Sequence, residues 1–116
     1  MTTIEGAKVR ARTIPRKQLI SIWKTLSNEP LPKVKAFQLE EEDFDCMMRT
    51  RNCKEDERRE KEEWGRVLSA GGTDACVFNS QEFAGVAYVI LVRKRPYHGL
   101  AEVLEHELFH IARGDL

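Results

Sequence analysis

The sequence predicts an α+β fold in which a small sheet of three or four strands packs with two or three helices. Short segments that alternate apolar and polar residues, typical of strands, are interleaved with segments whose apolar residues recur at helical spacing. The length of 116 residues suits one domain, and a hydrophobic fraction of 41% is enough to build its core. We therefore expect one domain over residues 1–116, with a mainly helical layer in 1–70 and strands followed by a helix in 75–116.

The N-terminal part is predicted to contribute two strands and one helix. Residues 7–13 alternate small or apolar residues with basic ones, which indicates a short strand of the edge type. Pro15 is expected at a helix start, and the apolar spacing of Arg16–Ser27 predicts the helix itself. The prolines within residues 28–32 end that helix, because proline has no amide hydrogen. Residues 33–39 alternate again and predict a second strand.

A long helix with a highly charged middle is predicted over residues 40–70. Twelve of the fifteen residues from 49 to 63 are charged, six of each sign. Several opposite charges lie four residues apart, a spacing that stabilises a helix. The pattern favours a solvent-exposed helical face, and an arm that docks a partner is the alternative.

Two strands and a final helix are predicted for the C-terminal part. Ala75–Asn79 and Gly85–Arg93 are rich in β-branched and aromatic residues. The second segment is almost continuously apolar, so we expect it inside the sheet or beneath helices. Residues 98–113 predict a helix that Gly114 closes, because glycine readily adopts the left-handed conformation just past a helix end.

Composition narrows the classes of function. Lys plus Arg and Asp plus Glu both number 19, so the chain lacks the basic excess that nonspecific nucleic-acid binding needs. The longest apolar run, residues 83–92, is too short to cross a bilayer as a helix, and the N-terminus lacks the apolar segment of a signal peptide. The three cysteines are odd in number and form no C-x-x-C pair. We expect a cytoplasmic protein that binds neither nucleic acid nor membranes.

The final helix carries His106-Glu107-x-x-His110, the H-E-x-x-H pattern of zinc peptidases. Residues four apart on a helix share a face, so both imidazoles can reach one ion. Glu107 follows the first ligand directly, which leaves its carboxylate beside the ion, where it can take a proton from water that zinc has acidified. Chance alone would produce the motif in about 0.6% of sequences of this composition.

A helical wheel divides this helix into three faces. The flank with the motif also holds Val103, the charged face holds Phe109, and the core face is a third arc. The core face comprises Leu100, Ala101, Leu104, Leu108, Ile111 and Ala112.

The segment AYVILVRKRPYHGLAEVLEHELFHIARGD resembles the strand and active-site helix of the zincin metallopeptidases. Over residues 75–116 it is similar in particular to very small, gluzincin-like domains of microbial proteins. The resemblance implies Zn²⁺ at His106 and His110, with Glu107 as the general base of peptide-bond hydrolysis. It also implies that Gly85–Arg93 or Ala75–Asn79 pairs with an extended peptide or protein substrate.

A catalytic zinc usually has three protein ligands, and the third is open here. Gluzincins take a downstream glutamate and metzincins a histidine six residues past the second one, and neither pattern follows His110. Asp115, the nearest downstream carboxylate, is our candidate for the third ligand. A second chain, as a homo-oligomer or another partner, could supply it instead. So could residues that fold back onto the site, namely the acidic residues 40–43, Cys46, Cys53 and Cys76.

Three further groups have both a functional and a structural interpretation. Glu102 lies one turn before His106 and is either an exposed charge or a hydrogen-bond partner of a ligand. His98 could stabilise a developing oxyanion, although a histidine just before a helix is more often a cap or a surface group. The basic residues 93–95 could bind an acidic group, but such residues at a strand end are usually solvated.

The favoured function is a zinc-dependent metallopeptidase. The alternative is a zinc-binding but inactive regulatory or interaction module, which an incomplete ligand set would produce. A third hypothesis needs no metal: the charged helix at 49–63 docks a partner and the histidines are incidental.

Overall fold

The computed structural model describes residues 1–49, 74–79 and 82–114. It confirms the α+β class: within these residues three helices pack around one four-stranded sheet and one two-stranded sheet. The strands are β1 (Thr2–Ile4), β2 (Ala7–Val9), β3 (Ala11–Thr13), β4 (Val34–Leu39), β5 (Ala75–Asn79) and β6 (Tyr88–Arg93). The helices are α1 (Arg16–Trp23), α2 (residues 41–49, as far as it is described) and α3 (Leu100–Arg113).

The larger sheet is mixed, with the strand order β3-β4-β6-β5. Strands β4 and β6 are parallel, whereas β3 pairs with β4 and β5 pairs with β6 in the antiparallel sense. The apolar strand β6 lies inside the sheet, as predicted, and it begins at Tyr88 because Gly85, with a φ of 72°, belongs to the turn before it. Among the described strands, β3 and β5 are the edges of this sheet.

The prediction of one strand over residues 7–13 is wrong, because the segment forms two strands in two sheets. Strand β2 pairs with β1 in the separate hairpin, and β3 pairs with β4. Arg10 lies between them, and its backbone N–H donates to Asp43 at 2.8 Å while its carbonyl accepts from the Glu40 N–H. The backbone N–H and carbonyl of Arg10 therefore form their hydrogen bonds at the start of α2, and Arg10 takes no part in the pairing of β2 or β3.

Two apolar clusters cover the two faces of the four-stranded sheet. Alternate residues of β6 separate them, since Ile90 and Val92 face α1 and α3, whereas Val89 and Leu91 face the hairpin and α2. On the first face α3 buries the side chains Val103, Leu104, Leu108 and Ile111. On the second face α2 buries Phe44, Met47 and Met48.

The helix boundaries follow the predicted signals only in part. Helix α1 begins directly after Pro15 but ends at Trp23 rather than Ser27, and residues 24–26 form a turn. Helix α3 begins at Leu100 and ends as predicted, because Gly114 takes a left-handed φ of 71° and donates its N–H to the Ile111 carbonyl. The predicted helix over residues 40–70 is observed from residue 41 to 49, and the rest of it lies outside the described residues.

None of the described helices combines the length and apolar character that crossing a membrane requires.

Candidate metal centre and adjoining cavity

Helix α3 presents the H-E-x-x-H motif along the flank of its buried stripe. It packs against β5, β6 and α1, and its buried arc is rotated toward the motif relative to the core face that the wheel predicts. Val103 and Glu107 are therefore buried, whereas Ala101 and Ala112, which we assigned to the core face, are exposed. His106 remains exposed and His110 half-buried.

The two imidazoles of the motif lie in contact. Nε2 of His106 and Nε2 of His110 are 3.1 Å apart, and the ring planes meet edge to face at a centroid distance of 4.7 Å. Two nitrogens bound to one tetrahedral zinc at about 2.05 Å would be separated by about 3.3 Å. An N–H···N hydrogen bond between neutral rings would also have this separation. In either case the side chains already converge at the distance that a shared ion needs.

Glu107 has only 7% of its surface exposed although it bears a carboxylate. Burial raises the pKa of this side chain, and the electrostatic influence of the nearby His110 acts in the opposite direction. No ion pair or hydrogen bond holds the carboxylate among the described residues. A shielded carboxylate beside two imidazoles is well suited to accept a proton from a bound molecule.

A cavity of about 460 Å³ opens between the start of β5 and the first half of α3. It brings together His106 and Glu107 of the motif with His98 and Glu102, two residues that the sequence singled out. The remaining lining residues are Asp74, Ala75 and Val103. His98 thus reaches the same cavity as the motif, and Glu102 is an exposed charge at its wall, the first of the two interpretations considered for it.

Asp74 is a cavity residue that the sequence analysis missed. Its carboxylate is nine-tenths buried, and its Oδ2 accepts a hydrogen bond from the His98 backbone N–H at 3.1 Å. Its Oδ1 is buried and has no hydrogen-bond partner in the described part of the chain. The pairing of β5 with β6 brings Asp74 to the residues just before α3.

The topology decides between the two strands that the resemblance offered for substrate pairing. Strand β6 is hydrogen-bonded on both sides, to β4 and to β5, so a peptide has no free edge there. Strand β5 pairs with β6 alone among the described strands, and its first residue, Ala75, lines the cavity. Of the two candidates, Ala75–Asn79 is therefore the one that is an edge strand among the described strands.

No third metal ligand is found among the described residues. Within residues 1–49, 74–79 and 82–114, no three side chains of His, Cys, Asp or Glu converge as a group that could hold an ion. The candidate Asp115 lies outside these residues, and so does Cys53. The cysteines inside them are placed elsewhere, since Cys46 is exposed on α2 and Cys76 packs with the cluster on the opposite face of the sheet.

The acidic residues 40–43, considered as ligands that could fold back, belong to a different site. Glu40 pairs with Lys94 at 2.8 Å, Glu41 pairs with Arg93, and Asp43 pairs with Arg10 at 3.1 Å. Since α2 covers the face of the sheet opposite α3, these carboxylates neutralise basic residues there and do not approach the histidines.

The basic residues 93–95 are less solvated than we predicted. The Arg93 side chain is only 12% exposed, because it bridges Glu41 and Asp45 of α2 and lies over the Phe44 ring at 4.8 Å. The expectation of a solvated strand end is therefore wrong for Arg93, which connects the end of β6 to α2.

Phe109 lies on the solvent side of α3, as the wheel predicts, with 43% of its surface exposed. The Arg113 guanidinium lies over its ring at 5.3 Å. Phe109 also lines a second cavity of about 460 Å³ that adjoins His106 on the outer side of the helix.

Comparison of the chain with protein-family models, with curated proteins and with solved structures found no match.

Proposed function

We propose that the protein is a zinc-dependent metallopeptidase of the zincin type. In this proposal His106 and His110 hold the ion and Glu107 is the general base. The observation that carries it is the 3.1 Å separation of the two Nε2 atoms, next to a buried carboxylate in an open cavity. A helix packed on a sheet beside an edge strand is also the arrangement that the zincin resemblance implies.

The residues present suit zinc, since neutral imidazoles are common ligands for it. When bound, zinc polarises the scissile carbonyl and lowers the pKa of water. The Glu107 carboxylate accepts the proton of the attacking water and can later donate it to the leaving amine.

The edge strand β5 is the proposed place for the substrate backbone. An extended peptide would add a strand there through main-chain hydrogen bonds, and its reactive part would lie over the cavity that begins at Ala75. Asp115 remains our proposed third ligand, and a residue of a second chain is the alternative.

The experiment is hydrolysis of a peptide library by the zinc-loaded chain, with cleavage followed by mass spectrometry. For a substrate found in this way, Glu107→Gln should lower kcat/KM by roughly 10²- to 10⁴-fold while zinc stays bound, because the amide cannot accept the proton. Glu105→Gln is the matched control, since Glu105 is exposed on the same helix, and it should retain activity. Cleavage by the Glu107→Gln variant at the wild-type rate would exclude this mechanism.

A second candidate function is a zinc-binding regulatory or interaction module without catalysis. It is favoured by one observation, that the described residues contain no third ligand group. A two-histidine site binds zinc weakly unless another chain completes it. Zinc binding that rises with protein concentration together with dimer formation, and no cleavage of any library member, would support this candidate.

A further inference from the structure

The cavity beside α3 has an unbalanced charge. Its wall carries three carboxylates, from Asp74, Glu102 and Glu107, together with the His98 and His106 imidazoles. No lysine or arginine lines it in the described part of the chain. Even with a divalent cation on the motif, three negative charges against two positive ones leave a formal charge of about −1. The cavity therefore favours a cationic group.

Asp74 supplies an acceptor, Oδ1, that none of the described residues uses. Its carboxylate lines the cavity with 9% of the residue exposed, and only Oδ2 is satisfied, by the His98 N–H. A buried carboxylate oxygen without a donor costs free energy, which a donor on a ligand would recover. Because Asp74 lines the cavity, a ligand bound there can supply such a donor.

The occupant is better matched by an organic cation than by a second metal ion. Among residues 1–49, 74–79 and 82–114 no three acidic, histidine or cysteine side chains converge on a single point, as an ion would require. Acceptors spread over a cavity of about 460 Å³ suit a group with several N–H donors instead. An ammonium group has three such donors.

We propose that this cavity binds an ammonium group of a peptide, with Asp74 as the main acceptor and Glu102 as the second. The group is either the α-amino terminus or a lysine side chain, and both offer the same chemistry. That the ligand is a peptide rests on the proposed function, whereas the preference for a cation rests on the cavity alone. Because Ala75 lines the cavity, a peptide paired with β5 would bring such a group to Asp74.

The experiment measures binding without turnover. The full chain, freed of metal by a chelator, is titrated at low ionic strength with four versions of one peptide, followed by calorimetry. The versions have a free or an acetylated N-terminus, and a lysine or a norleucine at one position. The version with the relevant ammonium group should bind about tenfold more tightly than its neutral counterpart, and added salt should reduce the difference.

Two variants test which carboxylate is responsible. Asp74→Asn keeps an acceptor for the His98 N–H but removes the charge, and it should abolish the preference. Glu102→Gln, at an exposed position where the fold is not at risk, should reduce the preference by about threefold. Glu105→Gln does not alter this cavity and should keep the full preference.

The outcomes separate this inference from the proposed function. A preference for the free terminus identifies the α-amino group, and a preference for lysine identifies the side chain. Equal affinity for all four peptides, no binding of any of them, or a preference that Asp74→Asn leaves unchanged would overturn the inference. Since no zinc or cleavage is involved, failure of the peptidase proposal leaves this result intact, and the reverse also holds.

Discussion

The two faces of the four-stranded sheet differ in whether their charged side chains form ion pairs. On the face covered by α2, carboxylates and basic side chains neutralise one another, as in the pairs of Arg93 with Glu41 and Lys94 with Glu40. On the face covered by α3, Asp74 and Glu107 are buried and form no ion pair among the described residues. The first arrangement stabilises the fold, whereas the second costs stability. Proteins retain such unpaired groups chiefly where binding or catalysis uses them.

The largest effect on stability is expected from removing Arg93, the central cation of the α2 face. Arg93→Met leaves Glu41 and Asp45 without their partner beside a buried ring. We expect a loss of roughly 2 kcal/mol in the free energy of unfolding, below the usual cost for fully buried pairs because both carboxylates are partly exposed. Urea denaturation measures it.

Zinc binding by the folded Arg93→Met protein should be unchanged, because the variant alters only the α2 face. Lys94→Met, which removes a more exposed partner, should cost much less stability and is the matched control. Equal stability of the two variants would contradict the structural role that we assign to Arg93.

A smaller expected effect is a difference between the two faces in how their stability depends on pH. Hydrogen bonds from the Arg10 backbone and side chain lower the pKa of Asp43 in the folded protein. The Asp43 carboxylate therefore stabilises the fold at a pH above the pKa that it has in the unfolded chain. This stabilisation is lost as the pH falls through its lower pKa in the folded protein. Burial raises the pKa of Glu107 in the folded protein. The protonated Glu107 side chain therefore contributes stability at a pH below the pKa that it has in the unfolded chain. This contribution is lost as the pH rises through its higher pKa in the folded protein.

The two faces should therefore contribute slopes of opposite sign to stability in acid, in the metal-free protein. With Asp43→Asn, stability should fall less steeply as the pH is lowered, and with Glu107→Gln it should fall more steeply. Urea midpoints between about pH 3 and pH 6 measure both slopes. The same change of slope in both variants would contradict the comparison.

Local signals predicted most of the secondary structure. Gly114 ends α3 in the left-handed conformation expected of it, and the apolar strand β6 lies inside the sheet. The segment 7–13 was misread because alternation in sequence does not show that Arg10 hydrogen-bonds with α2 instead of a strand. That contact spans 33 residues and depends on how α2 packs against the sheet.

The sequence predicted only the part of the candidate site that lies on a single helix, α3. His106, Glu107 and His110 follow from helical spacing alone, because they lie within one turn of each other. Asp74 is brought to them by the β5–β6 pairing, and no local pattern marks it. The wheel also did not predict the burial of Glu107, because which arc of α3 is buried depends on how the helix packs against the sheet and α1.

The most direct test of the account is the zinc content of the purified full chain, measured by elemental mass spectrometry. We predict about one zinc per chain, or per dimer if a second copy completes the site. His110→Ala should lose the metal, whereas His98→Ala, which removes a histidine of the adjoining cavity that is not a proposed ligand, should keep it. Absence of zinc from the wild-type protein, even after zinc is added at neutral pH, would contradict the account.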